Sequence, residues 1–114
     1  MKTFYGGIFI EKQKLEAEGI FHPIKLEYYK SIREDEIMKG ENNRFGISVV
    51  KTEYLPGNTK VERKELNNLT NDENKIEEVL RLFKENEVTP ISVEDIICDL
   101  CRKRRISRII NNHK

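Results

Sequence analysis

The residues with the most chemical potential lie in the stretch CDLCRKRRISR, residues 98 to 108. Cys98 and Cys101 have the C-x-x-C spacing of dithiol redox centres and zinc half-sites, and they run into Arg102, Lys103, Arg104 and Arg105, with Arg108 following. Three chemistries fit these residue types: thiol exchange, metal ligation and phosphate neutralisation. Thiol exchange needs an attacking cysteine at a helix N-terminus, where the dipole and free N–H groups lower its pKa. The apolar repeat around these cysteines opens near Ser92, which places Cys98 well inside a helix and removes that activation. Zinc needs four ligands, whereas the remaining ligand types are His22 and His113, at opposite ends of the sequence and without a second C-x-x-C. Small thiols packed on a helix face account for both cysteines. No metal or cofactor is therefore expected.

Other reactive types are scattered. His22 precedes Pro23, which holds it extended as a turn residue, and the sequence pairs no Ser or Cys nucleophile with it. Gly6-Gly7 lacks the context of a phosphate-binding glycine loop and reads as a bend or bulge in a strand. Glu94, Asp95 and Asp99 precede the cations on one helix, an order that complements the helix dipole without any ligand. With no catalytic constellation, the chain is expected not to be an enzyme.

The elements that must position these residues follow from periodicity. With 114 residues, 37% hydrophobic and 36% charged, the chain suffices for one lean core and a heavily solvated surface. No apolar run approaches the roughly 18 residues of a membrane span. The stub at Thr3 to Ile10 is too short for a signal peptide, and two cysteines make no disulfide framework, so a cytoplasmic setting without membrane contact is expected.

Thr3 to Ile10 reads as a strand; Ile24, Leu26 and Tyr28 alternate with polar neighbours, as do Phe45, Ile47 and Val49. Pro56-Gly57 fits a type II turn, with a return strand over about Thr59 to Leu66. Glu11 to Glu18 reads as a helical turn or charged connection and Glu34 to Asn43 as a polar loop. The period then changes. Thr70 with Glu73 has capping-box spacing, followed by Ile76, Val79, Leu80 and Phe83, which predicts a helix over about 71 to 85. Ser92 with Asp95 opens a second helix bearing Val93, Ile96, Ile97, Leu100 and Cys101 on one stripe. The fold class is α+β: a small antiparallel sheet from the N-terminal half packed against two C-terminal helices. Residues 1–101 form one domain and 102–114 a basic helical extension.

At Phe45-Gly46-Ile47, and at Asn86-Glu87-Val88-Thr89-Pro90-Ile91 followed by Asp95 to Leu100, the chain resembles a family of short clostridial proteins of unknown function. The resemblance covers residues 25 to 101 and implies a bacterial origin but no activity. That family's pattern has His-Leu at Ser92-Val93, an acid at Cys98 and an aliphatic residue near Cys101, so the C-x-x-C resembles a local substitution.

Charge is uneven. The net charge is +1, yet residues 102–114 carry six cations and no acid, which leaves the first 101 residues at 15 cations against 20 acids. A basic arm on an acidic body either reaches a polyanion or folds back. The expected function is a non-enzymatic interaction or regulatory protein. It would dock a protein partner or a second copy through Arg102, Lys103, Arg104, Arg105 and Arg108 with Ile106, Ile109 and Ile110. The alternative is weak, non-sequence-specific nucleic-acid binding by the same cations, helped by Tyr28 and Tyr29, although a pI of about 7.7 is low for a dedicated binder. Elemental analysis of the purified protein is expected to find no stoichiometric zinc; one zinc per chain, lost when Cys98 and Cys101 are both replaced by Ser, would overturn the reading of the thiols.

Overall fold

The computed structural model describes residues 1–11, 22–33 and 44–102. Four strands, β1 (Lys2–Ile10), β2 (Ile24–Ile32), β3 (Phe45–Leu55) and β4 (Asn58–Thr70), form one antiparallel sheet in sequence order. Two helices follow, α1 (Glu73–Glu85) and α2 (Pro90–Arg102), so the architecture is α+β with both helices C-terminal. The expected connections at 12 to 18 and 34 to 43, and the C-terminal run beyond Arg102, lie outside the described residues.

Alternation decides which face of the sheet the helices cover. Ile24, Leu26 and Tyr28 of β2 stand opposite residues of β3 on the face that also carries Ile47 and Val49, and all five are buried. Ile10 of β1 joins them beside Ile24. At the far end of the β3–β4 hairpin the same face turns charged, with Lys51 3.3 Å from Glu62. Pro56 and Gly57 close that hairpin between the paired Leu55 and Asn58, and Gly57 takes φ 72°, the left-handed geometry that the second central position of a type II turn requires.

Two bulges shape the end of the sheet nearest the helices. In β1 the register shifts between Phe4 and Gly6, which leaves Tyr5 unpaired and puts Phe4 opposite Tyr29. In β4 the residues between Leu66 and Thr70 oppose Gly46 alone, with Asn68 at φ 57°. This bulge carries β4 past the Leu66 limit expected from sequence and brings Leu69 into the core at 2% exposure. Gly46 is required here, since a Cβ would meet the Leu66 carbonyl oxygen at 2.2 Å.

The helix starts differ from the expected capping boxes. Asp72, not Thr70, caps α1, its carboxylate accepting the Asn74 N–H at 3.0 Å, while the Thr70 hydroxyl accepts the Asp72 N–H at 3.1 Å. Thr70 is still held in the β3–β4 ladder, and its extended neighbours leave the capping role to the first residue clear of the sheet. α2 begins at Pro90, two residues before the expected Ser92 cap. Proline at the first helical position gives up an N–H that would have had no helical partner, and the Ser92 N–H already closes a turn on the Thr89 carbonyl.

Between the helices, the Val88 N–H reaches the Phe83 carbonyl at 3.0 Å and the Glu87 N–H reaches that of Lys84 at 3.2 Å, with Glu87 at φ 52°. These are the two bonds of a Schellman motif, here with Glu in the left-handed position that glycine usually fills.

Ile76, Val79, Leu80 and Phe83 of α1 and Val93, Ile97, Leu100 and Cys101 of α2 meet the buried sheet face in one core, with Ile96 partly buried against it. Ile97 is fully enclosed. Truncating it to Ala is expected to cost about 2 to 5 kcal/mol, read as a shift of the denaturation midpoint; an unchanged midpoint would contradict this packing.

Candidate functional site

Both described helices cover one face of the sheet, and among the described residues no element covers the other. Along β2 and β3 the residues of opposite parity to the core set, Lys25, Glu27, Tyr29 and Ser31 against Thr52, Val50, Ser48 and Gly46, make up this face. β1 adds Phe4, Gly7 and Phe9, and β4 adds Val61, Arg63 and Glu65. A solvated face would be polar, yet Phe4 and Phe9 are 56% and 57% exposed and Val61 is 50% exposed.

The aromatics are paired. Phe4 meets Tyr29 edge to face, with ring centroids 5.5 Å apart, and Phe9 lies 6.1 Å from Tyr54. By register Phe9 sits opposite Lys25 and Phe4 opposite Tyr29, so the two pairs are four residues, or about 13 Å, apart along β2. Between β2 and β4, under the Tyr29 side of this row, Ser48 is fully buried, and its hydroxyl has no hydrogen-bond partner among the described residues.

Cations surround the rings: Lys2, Lys25 and Arg63 on the face itself, Arg33 and Arg44 at its end. Lys2 pairs with Glu65 at 3.0 Å, and Lys25 lies 3.8 Å from Glu27. The Tyr29 hydroxyl donates to Glu27 at 3.1 Å. Partial burial, then the hydrogen bond and charge of Glu27, hold its phenol above the ordinary tyrosine value, against an opposing pull from the nearby Arg63 guanidinium.

At the end of the face that carries the β4 bulge, a cavity of about 510 Å³ opens among Lys2, Ser31, Arg33, Arg44, Glu65, Asn67 and Asn68. Arg33 and Arg44 are joined through their backbones, the Arg33 N–H donating to the Arg44 carbonyl at 2.8 Å. The Arg44 Nε is shielded from solvent and has no hydrogen-bond partner among the described residues. Among the described side chains, three cations against one carboxylate make this pocket attractive to an anion.

The helix layer has the opposite sign. From Asp72 to Arg102 the chain carries nine acidic residues against four basic ones. Lys30, on the core side of β2, reaches across to Glu73 and, at 2.9 Å, to Glu77, which ties the sheet to α1. The bond to Glu73 is the main reason its ammonium is held above the ordinary lysine value, with Glu77 adding and desolvation opposing.

The described residues singled out from sequence fall elsewhere. Cys101 is buried on the core side of α2 and Cys98 is half-buried beside it, so the C-x-x-C belongs to the packing of that helix. Among the described residues no three His, Cys, Asp or Glu side chains cluster as metal ligands. Of the basic run, Arg102 is described and pairs with Asp99 at 3.0 Å; Lys103, Arg104, Arg105, Ile106, Arg108, Ile109 and Ile110 lie outside the described residues. Tyr28, expected to assist a nucleic-acid surface, is instead a core residue with no exposed area, and its hydroxyl donates to the Val88 carbonyl at 2.8 Å. It shares a strand with Tyr29 but has the opposite parity, which sends it under the helices. The sequence reading missed Phe4, Phe9, Tyr54, Arg33 and Arg44. The signal for Phe9 is that β1 carries large apolar residues at both parities, so they could not all enter one core; Phe4 shares the parity of Ile8 and Ile10 and is turned outward by the bulge at Tyr5.

A family model described as a family of unknown function, DUF6514, matches residues 7–103. The chain belongs to this family. The match takes in Phe9 and every later element of the fold, and it stops at the start of the basic run. No curated protein and no solved structure matches the chain. No helix among the described residues is long and apolar enough to cross a membrane.

Burial above all, and then the charge of Glu87, holds the Tyr28 phenol well above its ordinary value of 10.0. The folded chain therefore keeps a proton that the unfolded chain releases as pH passes 10, so this group's contribution to stability is present below that pH and lost above it. Tyr28→Phe is expected to cost about 1 kcal/mol at neutral pH and to flatten the decline in stability above pH 10. Equal alkaline slopes in denaturant titrations of the two proteins would count against the buried phenol.

Proposed function

We propose that this chain is a non-enzymatic binding protein that holds a macromolecular partner against the helix-free face of its sheet. The observation that supports this is the exposure of Phe4, Phe9 and Val61 on a face that also carries polar and charged residues. Aromatic rings of this kind, set among cations, are the usual anchors of a binding surface. The basic run beyond α2 supplies a second contact: Lys103, Arg104, Arg105 and Arg108 for charge and Ile106, Ile109 and Ile110 for apolar docking, the combination that suits a partner's groove. The cytoplasm of a clostridial bacterium is the setting that the resemblance and the cysteine usage favour.

Affinity capture from a bacterial lysate, with and without nuclease, tests this reading. The intact protein is expected to retain a partner that the Phe4→Ser/Phe9→Ser protein loses, while the double variant stays folded with a modestly lower melting temperature, because each ring is more than half exposed. If the double variant keeps every partner, the sheet face is not the working surface.

A further inference from the structure

We infer that the partner on this face is a single-stranded nucleic acid, with bases stacked on the Phe4–Tyr29 and Phe9–Tyr54 pairs and phosphates met by the surrounding cations. The inference rests on the binding-face reading above and names the occupant.

Sign is the first argument. The helix layer is strongly acidic, whereas among the described residues the opposite face and its end pocket carry five cations, Lys2, Lys25, Arg33, Arg44 and Arg63, against Glu27 and Glu65. A chain whose body is acidic thus turns a positive face outward at the place where its aromatics are exposed. A polyanion is drawn to that face and repelled from the other. A second copy of the chain meeting it through a two-fold axis would set like charges against like.

The kind of polyanion follows from the rings. Phe4, Phe9, Tyr29 and Tyr54 offer faces and edges of flat π-systems, which bind bases only when those bases are unstacked. In a duplex the bases present only their edges, within the grooves, so these rings would have nothing to stack on. A purely electrostatic polyanion would not need them at all. Two aromatic pairs about 13 Å apart along a strand give two stacking stations on one track. The track continues to the pocket, where Arg44, with a shielded Nε that lacks a partner among the described residues, and Asn67 line a cavity of about 510 Å³. A protein partner fits less well. Between the rings Val50 and Val61 are interspersed with Lys25, Glu27, Thr52 and Arg63, so charged and polar side chains break up the apolar centre that a protein interface desolvates.

Fluorescence anisotropy of a labelled twelve-nucleotide oligouridine with the full-length chain is the test. The same strand annealed to its complement, and heparin, serve as competitors. Binding to the single strand is expected to fall with salt at a log–log slope of about −0.7 per phosphate neutralised. Phe4→Ala/Phe9→Ala is expected to weaken it about 100-fold, roughly tenfold for each stack lost, with the chain still folded and an unchanged salt slope. Arg63→Gln is expected to lower the slope instead.

If the double variant binds the strand as tightly as the native chain, the inference fails and the affinity belongs to the basic run. Should the native chain bind duplex or heparin as well as the single strand, the stacking argument fails likewise. If oligouridine is not bound, yet the double variant loses a protein from nuclease-treated lysate, the occupant is a protein and the binding face stands. Loss of a dimer in the double variant, seen by sedimentation, would assign the face to a second copy. No effect of the double variant in any of these measurements would remove both the occupant and the face.

Discussion

Two helices of thirteen residues, each about 10 Å across, cover the width of a four-stranded sheet on one side, and among the described residues no helix lies on the other. That one-sided coverage governs where every apolar side chain can go. Strand positions under the helices are filled by Leu26, Tyr28, Ile47 and Val49 with essentially no exposure. Where the β3–β4 hairpin runs beyond the helices, the same parity switches to Lys51, Glu53 and Glu62. Among the described residues, apolar side chains of the opposite parity have no second layer to enter. Phe9 is exposed for that reason, and Phe4, which shares the sequence parity of Ile8 and Ile10, joins it because the β1 bulge turns it outward.

The helix layer is held in place by polar bonds as well as by packing. Tyr28 crosses the core with its ring and ends on the Val88 carbonyl, in the short connection between α1 and α2. That connection is already narrowed by the Schellman bonds from Val88 and Glu87, so one hydroxyl fixes the junction of both helices to the second strand. Lys30, two residues along β2, anchors the start of α1 through Glu73 and Glu77. Lys64 performs a weaker version for α2, 3.5 Å from Glu94. Each of these cations comes from the sheet and each carboxylate from a helix. The acidic layer thus consumes cations on its own side and leaves those of the opposite parity, Lys25 and Arg63 among them, to set the sign of the outer face.

The end pocket depends on a backbone detail. Gly46 lets β4 cross within contact of β3 while Asn67 to Leu69 loop over it, and the left-handed Asn68 turns the strand so that Leu69 drops into the core. The same excursion leaves Asn67 and Asn68 on the rim of the cavity beside Arg33 and Arg44. Core formation and pocket formation share one bulge, and a methyl group at Gly46 would disturb both.

Much of the fold was legible in the residues alone. Period-two alternation located β2 and β3, Pro56-Gly57 located the hairpin from β3 to β4, and the 3.6-residue spacing of Ile76 to Phe83 and of Val93 to Cys101 located both helices, because each signal is local and arises from the geometry of a single element. The caps were displaced, since Thr70 remains in the β ladder and Pro90 starts α2 early, and whether a residue is still paired to a neighbouring strand is not a local property. The outer sheet face escaped notice for the same reason. The basic run draws attention because its charges are contiguous in sequence, whereas the outer face is assembled from single residues of β1, β2, β3 and β4 that only strand pairing brings together. Tyr28 and Tyr29 are adjacent and chemically identical; pairing parity alone sends one beneath the helices and the other to Phe4.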